Sequence, residues 1–458
     1  NCEALEADFC RTESLLSDKL VILALKKIIF SDLKLEVFLR KIRRQICDLI
    51  AKNKNTINDS ALDFIIALGE QCFFNEYIYS ITEDEKKCIN KIINRCTDGE
   101  LNEINISILS CYYPLYKLLN QIPSLESFTS FNPSFNELIK LQIKEPLKEI
   151  ELSKNIKKIG SINDNVSLKV RSQYEENPYP RWRYSNDLSN QKISLIQGIN
   201  DEIKPNYISQ SLDNKQLKVM IAGCGTGNQI LQAHRYKNAQ ITAIDLSLSS
   251  LSYAQRKINE LGINNVELIQ MDILEVQLLK EKFDIIECGG VLHHMDDPSM
   301  GLTNLLGILK NDGFLKLGLY SELARQDIIK ARNYITSKNL QSSEDNIRHF
   351  RDTLFSGKIP ELNSLLESGD FYTLSSCLDL CFHAQEYRFT IKQIQNIIIS
   401  NKLKFLGFSL PKQLKSQYKN YFPEDEKQTN LQNWSSFEEK NPNTFGAMYQ
   451  FWVSKKKN

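Results

Sequence analysis

Two hydrophobic periodicities divide the chain. In residues 14–111, apolar positions recur at the three- and four-residue spacing of an amphipathic helix. The positions that show this spacing most clearly are Leu35, Phe38, Leu39, Ile42 and Ile46. Asp59 or Ser60, directly before another apolar stretch, is typical of a helix N-cap. We therefore predict an all-helical N-terminal domain.

From residue 217 onward the pattern changes. Short apolar runs alternate with amphipathic stretches, which is typical of a parallel sheet with crossover helices. The predicted strands cover residues 218–222, 240–245, 266–270, 283–288 and 313–320. The helices between them are predicted to begin near Asn228, Ser249, Ile273 and Pro298. This part of the chain is therefore expected to form an α/β fold.

Two more strand-like runs follow after a long interval. They cover residues 404–409, after a predicted helix at 391–401, and residues 446–452. We expect these runs to pair antiparallel at the sheet edge, which makes the interval a helical insertion. A linker is expected between residues 146 and 174. The predicted domains are residues 1–165, 166–321, 322–388 and 389–458.

Composition narrows the function classes only slightly. The chain has 458 residues, 42% hydrophobic and 25% charged, which is typical of a folded protein with more than one domain. Its formal charge of +1 provides no overall electrostatic field that would attract nucleic acid, so we expect no nucleic-acid partner. No apolar run approaches the ~20 residues that span a bilayer, and the 11 scattered cysteines indicate reduced thiols. We therefore expect a cytoplasmic protein without membrane insertion.

A glycine-rich turn lies between the first predicted strand and its helix. It reads Gly223, Cys224, Gly225, Thr226, Gly227 and Asn228. Glycines let the backbone turn tightly and approach a ligand, while the helix start offers free N–H groups. The spacing differs from the GxGxxG of nicotinamide-binding domains. By itself, the turn also fits a plain strand-to-helix connection.

Acidic residues follow the next two predicted strands. Asp245, with Leu246 beside it, closes the second strand, where a carboxylate can accept hydrogen bonds from two ribose hydroxyls. Asp272 follows the third strand, where it is placed to bind an adenine amino group while Ile273 flanks the ring. Either aspartate alone is also a common helix cap. In this order after the glycine turn, they predict a nucleoside cofactor.

The fourth predicted strand leads into Gly289 and then the adjacent pair His293 and His294. Both histidines are candidate catalytic groups. The alternative is that one imidazole only packs and hydrogen-bonds locally. Because no cysteine or third histidine stands near them in the sequence, we predict no metal site.

An aromatic and proline-rich segment precedes the sheet. Tyr174, Arg181 and Trp182 lie on it, and we predict an extended, stiff lid over the cofactor. Arginine pairs well with a carboxylate, and an aromatic face attracts a cationic group. The alternative is a stiff linker whose tryptophan plugs a core.

Two further polar residues lie at the end of the insertion. His383 and Glu386 are three positions apart, so on one helical turn they would share a face and could bind or deprotonate an amine. The alternative is a surface or capping pair at the boundary of the insertion.

These motifs together resemble the class I S-adenosylmethionine-dependent methyltransferases. Within that class, the chain is similar to rickettsial protein-lysine methyltransferases in a helical domain followed by an EENPYPRW segment and in a final TFxxMYQFW strand. The resemblance runs from about residue 64 to residue 452, and residues 67–77, 175–182 and 444–452 show it most clearly.

The resemblance implies a Rossmann-like sheet of seven strands, the last two antiparallel, with S-adenosyl-L-methionine as the cofactor. It also implies methyl transfer to lysine side chains of a surface autotransporter of the outer membrane protein B type. A cytosolic homodimer that associates through a helical region would carry out this reaction.

Three other functions stay open from the residues alone. One is methyl transfer to a small metabolite, a glycan or a tRNA, although a tRNA enzyme usually has a basic face. A second is a helical scaffold whose cofactor domain senses without catalysis. A nicotinamide oxidoreductase is disfavoured by the glycine spacing.

Overall fold

The computed structural model describes residues 16–53, 57–184, 192–209 and 216–456. The first residues of the predicted helical domain, 1–15, lie outside this range. The described part of Asn1–Ile150 and the segment Lys330–Phe382 form one compact unit, unit 1. The described parts of Glu151–Ile329 and His383–Asn458 form the other, unit 2. The boundaries that we place from sequence at residues 165, 321 and 388 stay predictions.

Helices make up the regular structure of the described part of unit 1, as predicted. In the first part of the chain they are α1 (Lys19–Lys27), α2 (Leu33–Ala51), α3 (Asp59–Phe74), α4 (Glu83–Thr97), α5 (Glu103–Ser110), α6 (Pro133–Ile139) and α7 (Glu145–Ser153). Side chains fix several helix starts. Thr82 and Glu85 form a reciprocal capping box at α4, and the Asn58 side chain accepts a hydrogen bond at the start of α3.

The insertion contributes three helices: α13 (Gln326–Ser337), α14 (Glu344–Phe355) and α15 (Leu374–Cys377). Within unit 1, α14 is tied to α2 by a buried ion pair. Arg351 Nη2 lies 2.7 Å from Glu36 Oε2, and both side chains are 1% exposed. Two charges withdrawn from water in this way stabilise the fold only while both are present.

Arg351→Leu is expected to lower the free energy of unfolding by about 3–5 kcal/mol, because it leaves the buried Glu36 carboxylate with the more distant Arg40 guanidinium, at 3.8 Å. Lys86→Leu removes the ion pair with Glu83, whose side chains are 52% and 79% exposed, and should change it by less than ~1 kcal/mol. Urea denaturation of both variants measures the difference. Equal losses would contradict the assigned role of the buried pair.

Unit 2 is built on a sheet with strand order β1-β4-β3-β2-β5-β6-β8-β7. The strands are β1 (Lys157–Lys158), β2 (Leu217–Ala222), β3 (Ala239–Asp245), β4 (Val266–Gln270), β5 (Phe283–Gly289), β6 (Leu309–Tyr320), β7 (Leu403–Phe408) and β8 (Met448–Lys455). Neighbours from β1 to β6 pair parallel, while β8 pairs antiparallel with both β6 and β7. All seven predicted strands are confirmed.

The described sheet has eight strands rather than seven. The extra strand is the two-residue β1, which pairs with Ile269 and Gln270 of β4. Its two exposed lysines carry no apolar alternation, so hydrophobic patterning could not identify it.

Both faces of the sheet are buried, which is why its strands read as nearly continuous apolar runs. Val219 and Met220 are neighbours on β2, yet they belong to different hydrophobic clusters, one on each side of the sheet. The helices that accompany the strands are α8 (Asn165–Glu176), α9 (Leu195–Ile203), α10 (Asn228–His234), α11 (Leu248–Glu260), α12 (Pro298–Ile308), α16 (Ile391–Ser400), α17 (Lys412–Tyr421) and α18 (Leu431–Lys440).

The expected linker between residues 146 and 174 includes the change from unit 1 to unit 2 at Ile150–Glu151, but it also contains the end of α7, β1 and most of α8. One sequence prediction of local structure is wrong. The expected helix near Ile273 is a 3₁₀ segment, Ile273–Leu279. Among the described helices, none combines the length and the apolar character needed to cross a membrane.

Candidate functional site

The strand order reverses between β2 and β5, which are neighbours in the sheet. In open α/β sheets, the crevice beyond the carboxyl ends of strands at such a reversal is where ligands bind. The glycine turn follows β2, and the histidine segment follows β5. The fold of unit 2 therefore brings these two predicted motifs to the same edge.

The glycine turn leaves no room for a side chain at its centre. Gly225 has a φ of +51°, and a Cβ there would lie 2.7 Å from the carbonyl oxygen of Tyr179. Gly223 has a φ of +75°, and a Cβ there would lie 2.3 Å from a methyl of Val291. Cys224 is buried beside them, and Gly227 precedes Asn228 at the start of α10. Without side chains at these positions, the Tyr179 carbonyl and Val291 can pack closely against the turn.

Asp245 closes β3 next to this turn. Its carboxylate accepts hydrogen bonds from the backbone N–H of Gly225 at 2.8 Å and of Ser247 at 2.9 Å. Burial raises the pKa of Asp245, despite the two backbone donors. The structure therefore places a carboxylate against the glycine turn, and its binding of ribose hydroxyls stays a prediction.

Asp272 and Ile273 lie at the end of the neighbouring strand, β4. Asp272 is 4% exposed and accepts a hydrogen bond from Leu274 N at 2.9 Å, so it caps the 3₁₀ segment. Burial raises its pKa. The Gln270 side chain donates to the carbonyl of Leu246 at 2.8 Å, which links the ends of β3 and β4. An adenine-binding role for Asp272 stays a prediction.

As the pH is lowered, affinity for the cofactor is expected to fall at pH values above ~3.9, the pKa of an ordinary aspartate. The reason is that burial raises the pKa of Asp245, and only the ionised carboxylate can accept from both ribose hydroxyls. Calorimetric titrations from about pH 8 down to about pH 5 measure the loss. In Asp245→Asn the binding should be weak and should lack this transition; an identical transition in that variant would assign the titration to another group.

The predicted lid is only partly extended. Tyr174 lies in the last turn of α8, which corrects the prediction that this part of the segment is extended. The neighbouring Glu175 accepts hydrogen bonds from Leu248 N and Ser249 N, both at 2.9 Å. Ser247 Oγ also donates to the carbonyl of Tyr174 at 2.9 Å. The end of α8 thus caps the start of α11, beside Asp245.

The rest of the lid is bound to the glycine turn and to α11. The Thr226 hydroxyl donates to the carbonyl of Pro180, and Trp182 Nε1 donates to the carbonyl of Thr226 at 3.2 Å. The Trp182 ring meets Tyr253 edge-on at 6.2 Å, with the Lys257 ammonium 5.2 Å from the indole centroid. Trp182 thus packs against protein groups, and Arg181 is half-buried beside it. Cofactor contacts of both residues stay predictions.

Glu175→Ala is expected to lower the free energy of unfolding of unit 2 by about 1–2 kcal/mol, because two backbone donors of α11 lose their acceptor. It should also weaken cofactor binding, since the cap lies beside Asp245. Glu176→Ala, at the exposed neighbouring position, provides the matched control. Thermal denaturation and cofactor titration measure both effects, and equal behaviour of the two variants would contradict this role.

The segment after β5 begins with Gly289, whose carbonyl accepts a hydrogen bond from Gln229 Nε2 at 3.0 Å. Sequence analysis did not identify Gln229, because a glutamine in the first turn of a helix has no distinctive pattern. The 3₁₀ segment Leu292–His294 follows and carries both predicted histidines.

His293 lies in the core. It is 0% exposed, its ring stacks on Tyr320 with centroids 3.7 Å apart, and its Nδ1 accepts from Tyr320 N at 3.3 Å. Burial, with the nearby His294, Arg325 and His383, holds its pKa well below the ordinary value. These contacts favour the packing interpretation of His293, the alternative weighed from the sequence.

His294 and His383 stack face to face, with ring centroids 3.6 Å apart and a 22° angle between planes. His294 Nδ1 lies 2.7 Å from the carbonyl oxygen of Gln385. His383 Nε2 lies 3.2 Å from the Tyr174 hydroxyl. Three predicted site residues, from the lid, the segment after β5 and the end of the insertion, therefore meet in one cluster.

The predicted helical pairing of His383 with Glu386 is wrong. The helical residues end at Phe382, and Glu386 lies on an irregular segment. Its fully buried carboxylate binds Arg325 at 2.8 Å and Arg388 at 3.3 Å. With two guanidinium partners, this carboxylate is a poor candidate for a general base. The Arg325 guanidinium also lies 3.7 Å from the Tyr320 ring centroid.

The residues at this edge fit a nucleoside cofactor with a polar tail. A glycine turn that excludes any Cβ lies against an aspartate placed to accept from sugar hydroxyls, and a second aspartate lies on the next strand. The prediction of no metal stays a prediction.

Comparisons with known proteins agree with this geometry. Residues 213–376 match a family described as a methyltransferase domain. An uncharacterised protein of Synechococcus sp. is 32% identical over 205 residues, which are 42% of this chain and 48% of that protein. A malonyl-[acyl-carrier protein] O-methyltransferase of Acetivibrio thermocellus is 31% identical over 119 residues, 26% of this chain and 41% of that enzyme.

The matches span about half or less of the lengths of these two curated relatives. The structure of PKMT2 from Rickettsia typhi in complex with AdoHcy has 18% sequence identity and a TM-score of 0.45, and the superposition covers 60% of this chain and 55% of that one. From the matched family, the strand order and the site, we conclude that the chain carries a class I methyltransferase domain whose cofactor is S-adenosylmethionine.

Proposed function

We propose that this chain transfers methyl groups from S-adenosylmethionine to lysine side chains of a bacterial surface protein. The observation that carries methyl transfer at this site is the cluster of His294, His383 and Tyr174 beyond the carboxyl end of β5, and the lysine acceptor rests on the sequence resemblance. It provides imidazole and phenol groups at the position where the acceptor of the methyl group is expected.

An amine acceptor suits this cluster. A lysine ammonium, with an unperturbed pKa of ~10.4, has no lone pair and must lose a proton before it can attack. His294 and His383 are 5% and 2% exposed, so a side chain beside them would lose hydration, and desolvation favours the neutral amine. An imidazole at hydrogen-bonding distance can then accept the proton.

The bound cofactor supplies an electrophilic methyl group on a sulfonium. The protein has to hold the amine in line with that methyl at ~3–3.5 Å and to exclude water. The lid, tied to the glycine turn and to α11, is placed to fix one side of this arrangement. His293 is neutral and stacks on Tyr320, and its ring packs edge-to-face against the ring of His294.

The protein nature of the substrate, its identity as a surface autotransporter, and action in the cytoplasm as a homodimer are parts of the same proposal. The three sequence stretches shared with rickettsial protein-lysine methyltransferases support them. Self-association also finds support on α1, where Leu20 is 73% and Leu23 51% exposed.

A second candidate is methyl transfer to a small molecule. It is favoured by the names of two matched relatives, a malonyl-[acyl-carrier protein] O-methyltransferase and a ubiquinone biosynthesis O-methyltransferase. Both matches cover only about a quarter of this chain, 26% and 24%. Oxygen acceptors of this kind would also need a base, so the histidine cluster does not separate the two candidates.

The two candidates predict different labelled products. The full chain is incubated with methyl-labelled S-adenosylmethionine and either envelope protein or a metabolite extract, and labelled residues are mapped by mass spectrometry. We expect label on lysine side chains. Label only on small molecules or RNA would overturn the protein substrate, and Asp245→Ala controls for transfer by contaminants.

A further inference from the structure

We infer that Arg325 is a positioning residue for His294 and acts through a stack of aromatic rings. This stack, which we call the ring stack, runs through Tyr320, His293, His294 and His383. Arg325 packs on the first ring and thereby helps to fix the plane of the third. The contacts are features of unit 2, whereas their effect on methyl transfer rests on the proposed function.

The ring stack begins at a buried arginine. The Arg325 guanidinium lies 3.7 Å from the centroid of the Tyr320 ring, and the arginine side chain is 2% exposed. The Glu386 carboxylate accepts from Arg325 Nη2 at 2.8 Å and from Arg325 Nε at 3.3 Å. Two such hydrogen bonds fix the plane of a guanidinium, and burial strengthens its attraction to the face of a ring. Arg325 therefore holds the Tyr320 ring in one orientation.

The turn after β6 is also fixed, and this turn brings Arg325 back to Tyr320. Ser321 Oγ accepts a hydrogen bond from Ala324 N at 3.1 Å and donates to Glu438 Oε1 at 3.0 Å. Burial raises the pKa of Glu438, and its carboxyl group also accepts from a tyrosine hydroxyl at 2.7 Å. Tyr320 and Arg325 are thus joined by a short connection with internal hydrogen bonds, so neither side chain moves far without the other.

The imidazoles connect this fixed ring to His294. The His293 ring lies nearly parallel to the Tyr320 ring, with 3.7 Å between centroids and 21° between planes. His294 meets His293 edge-on at 4.3 Å and stacks on His383 at 3.6 Å. The Tyr320 ring also meets His294 edge-on directly, at 5.5 Å. Because stacked and edge-on pairs each favour one relative orientation, a rotation of Tyr320 displaces His294.

NMR of the imidazole ring protons in the full chain tests the ring stack without any methyl acceptor. The chain has 5 histidines, and single His→Gln variants assign their signals. Tyr320→Leu removes the ring but keeps the backbone N–H that donates to His293 Nδ1. We expect the signals of His293 and His294 to shift in Tyr320→Leu and to stay near their wild-type positions in Tyr320→Phe. The exposed His349 of unit 1 is the internal reference, and unmoved His294 signals in Tyr320→Leu would overturn the inference.

The same two substitutions provide the functional readout. We expect the kcat of Tyr320→Leu to be about 3- to 10-fold lower than that of Tyr320→Phe, the value of one aromatic pair. The affinity for the cofactor should be equal in the two variants, because the ring orients His294 rather than the cofactor. A merely structural role would lower the stability of Tyr320→Leu and leave the kcat of the folded protein unchanged. Equal kcat values in the two folded variants would therefore overturn the inference.

Arg325→Lys tests the guanidinium itself and decides the matter if Tyr320→Leu does not fold. Lysine keeps a cation for Glu386 but lacks the planar group that packs on the ring. We expect a kcat about 2- to 5-fold below the wild-type value, with shifted signals of His293 and an unchanged cofactor affinity. A wild-type kcat in Arg325→Lys would contradict the assigned role. Absence of transfer even in the wild type would instead count against the proposed function, and the NMR signals would still test the ring stack.

Discussion

Replacing Asp245 with alanine is expected to weaken S-adenosylmethionine binding by about 10²- to 10⁴-fold while leaving the chain folded. A carboxylate that accepts from two ribose hydroxyls contributes about 1.5–3 kcal/mol for each hydrogen bond, and each 1.4 kcal/mol is about tenfold in affinity. The same substitution removes the acceptor of Gly225 N–H, so the glycine turn also loses its shape. Isothermal titration measures the effect.

A buried aspartate at the opposite end of the sheet provides the control. Asp284 lies near the amino end of β5, where it accepts from Lys218 N at 2.9 Å and pairs with the Lys310 ammonium at 2.8 Å. Asp284→Asn should reduce thermal stability. It should leave the cofactor affinity within about twofold of the wild-type value, since Asp284 is expected to make no contact with the bound cofactor. If Asp245→Ala binds the cofactor like the wild type, the ribose assignment is wrong.

Replacing His294 with asparagine is expected to lower kcat by about 10²- to 10⁴-fold, the usual contribution of a general base. Asparagine can still donate to the Gln385 carbonyl from the position of Nδ1, but it has no basic atom at the position of Nε2. The loss should therefore appear in kcat, with the affinity for the cofactor almost unchanged. Rapid-quench measurement of labelled methyl transfer separates the two quantities.

His349, an exposed histidine of unit 1, gives the matched control for that substitution. His349→Asn should retain the wild-type kcat. A wild-type kcat in His294→Asn would show that the proton leaves to solvent or to another group. A loss of cofactor binding in His294→Asn would show that the ring supports the cofactor rather than the acceptor.

The strand-end residues were predictable because their positions follow from local patterns. Apolar runs placed β2, β3, β4 and β5, and in a parallel sheet the carboxyl ends of neighbouring strands meet at one edge. Asp245 and Asp272 therefore had to lie near the glycine turn once the strands were right. Each aspartate also accepts a hydrogen bond from a backbone N–H group, which is why each also fits the alternative interpretation of a cap.

The histidine cluster was harder to predict because it joins residues far apart in the sequence. Tyr174 and His383 are 209 positions apart, and Arg325 and Glu386 are 61 apart. Spacing alone suggested a helical turn for His383 and Glu386, but the helix ends before them and Glu386 turns to the two arginines. No local sequence pattern predicts contacts between residues so far apart in the chain.

The lid shows an intermediate case. Its prolines and aromatics indicated a stiff segment, and its attachment to the glycine turn through Trp182 agrees with that stiffness. The helical start of the segment and the capping of α11 by Glu175 depend on where α11 begins in space. Such a contact cannot be predicted until the positions of α8 and α11 in the fold are known.

The crystal structure of the full chain with S-adenosylhomocysteine tests the assigned site most directly. The account predicts both ribose hydroxyls within hydrogen-bonding distance of the Asp245 carboxylate, ~2.5–3.0 Å, the adenine beside Asp272 and Ile273, and the sulfur directed toward Gly289 and His294. A nucleoside bound away from Asp245, or a sulfur directed away from His294, would contradict it.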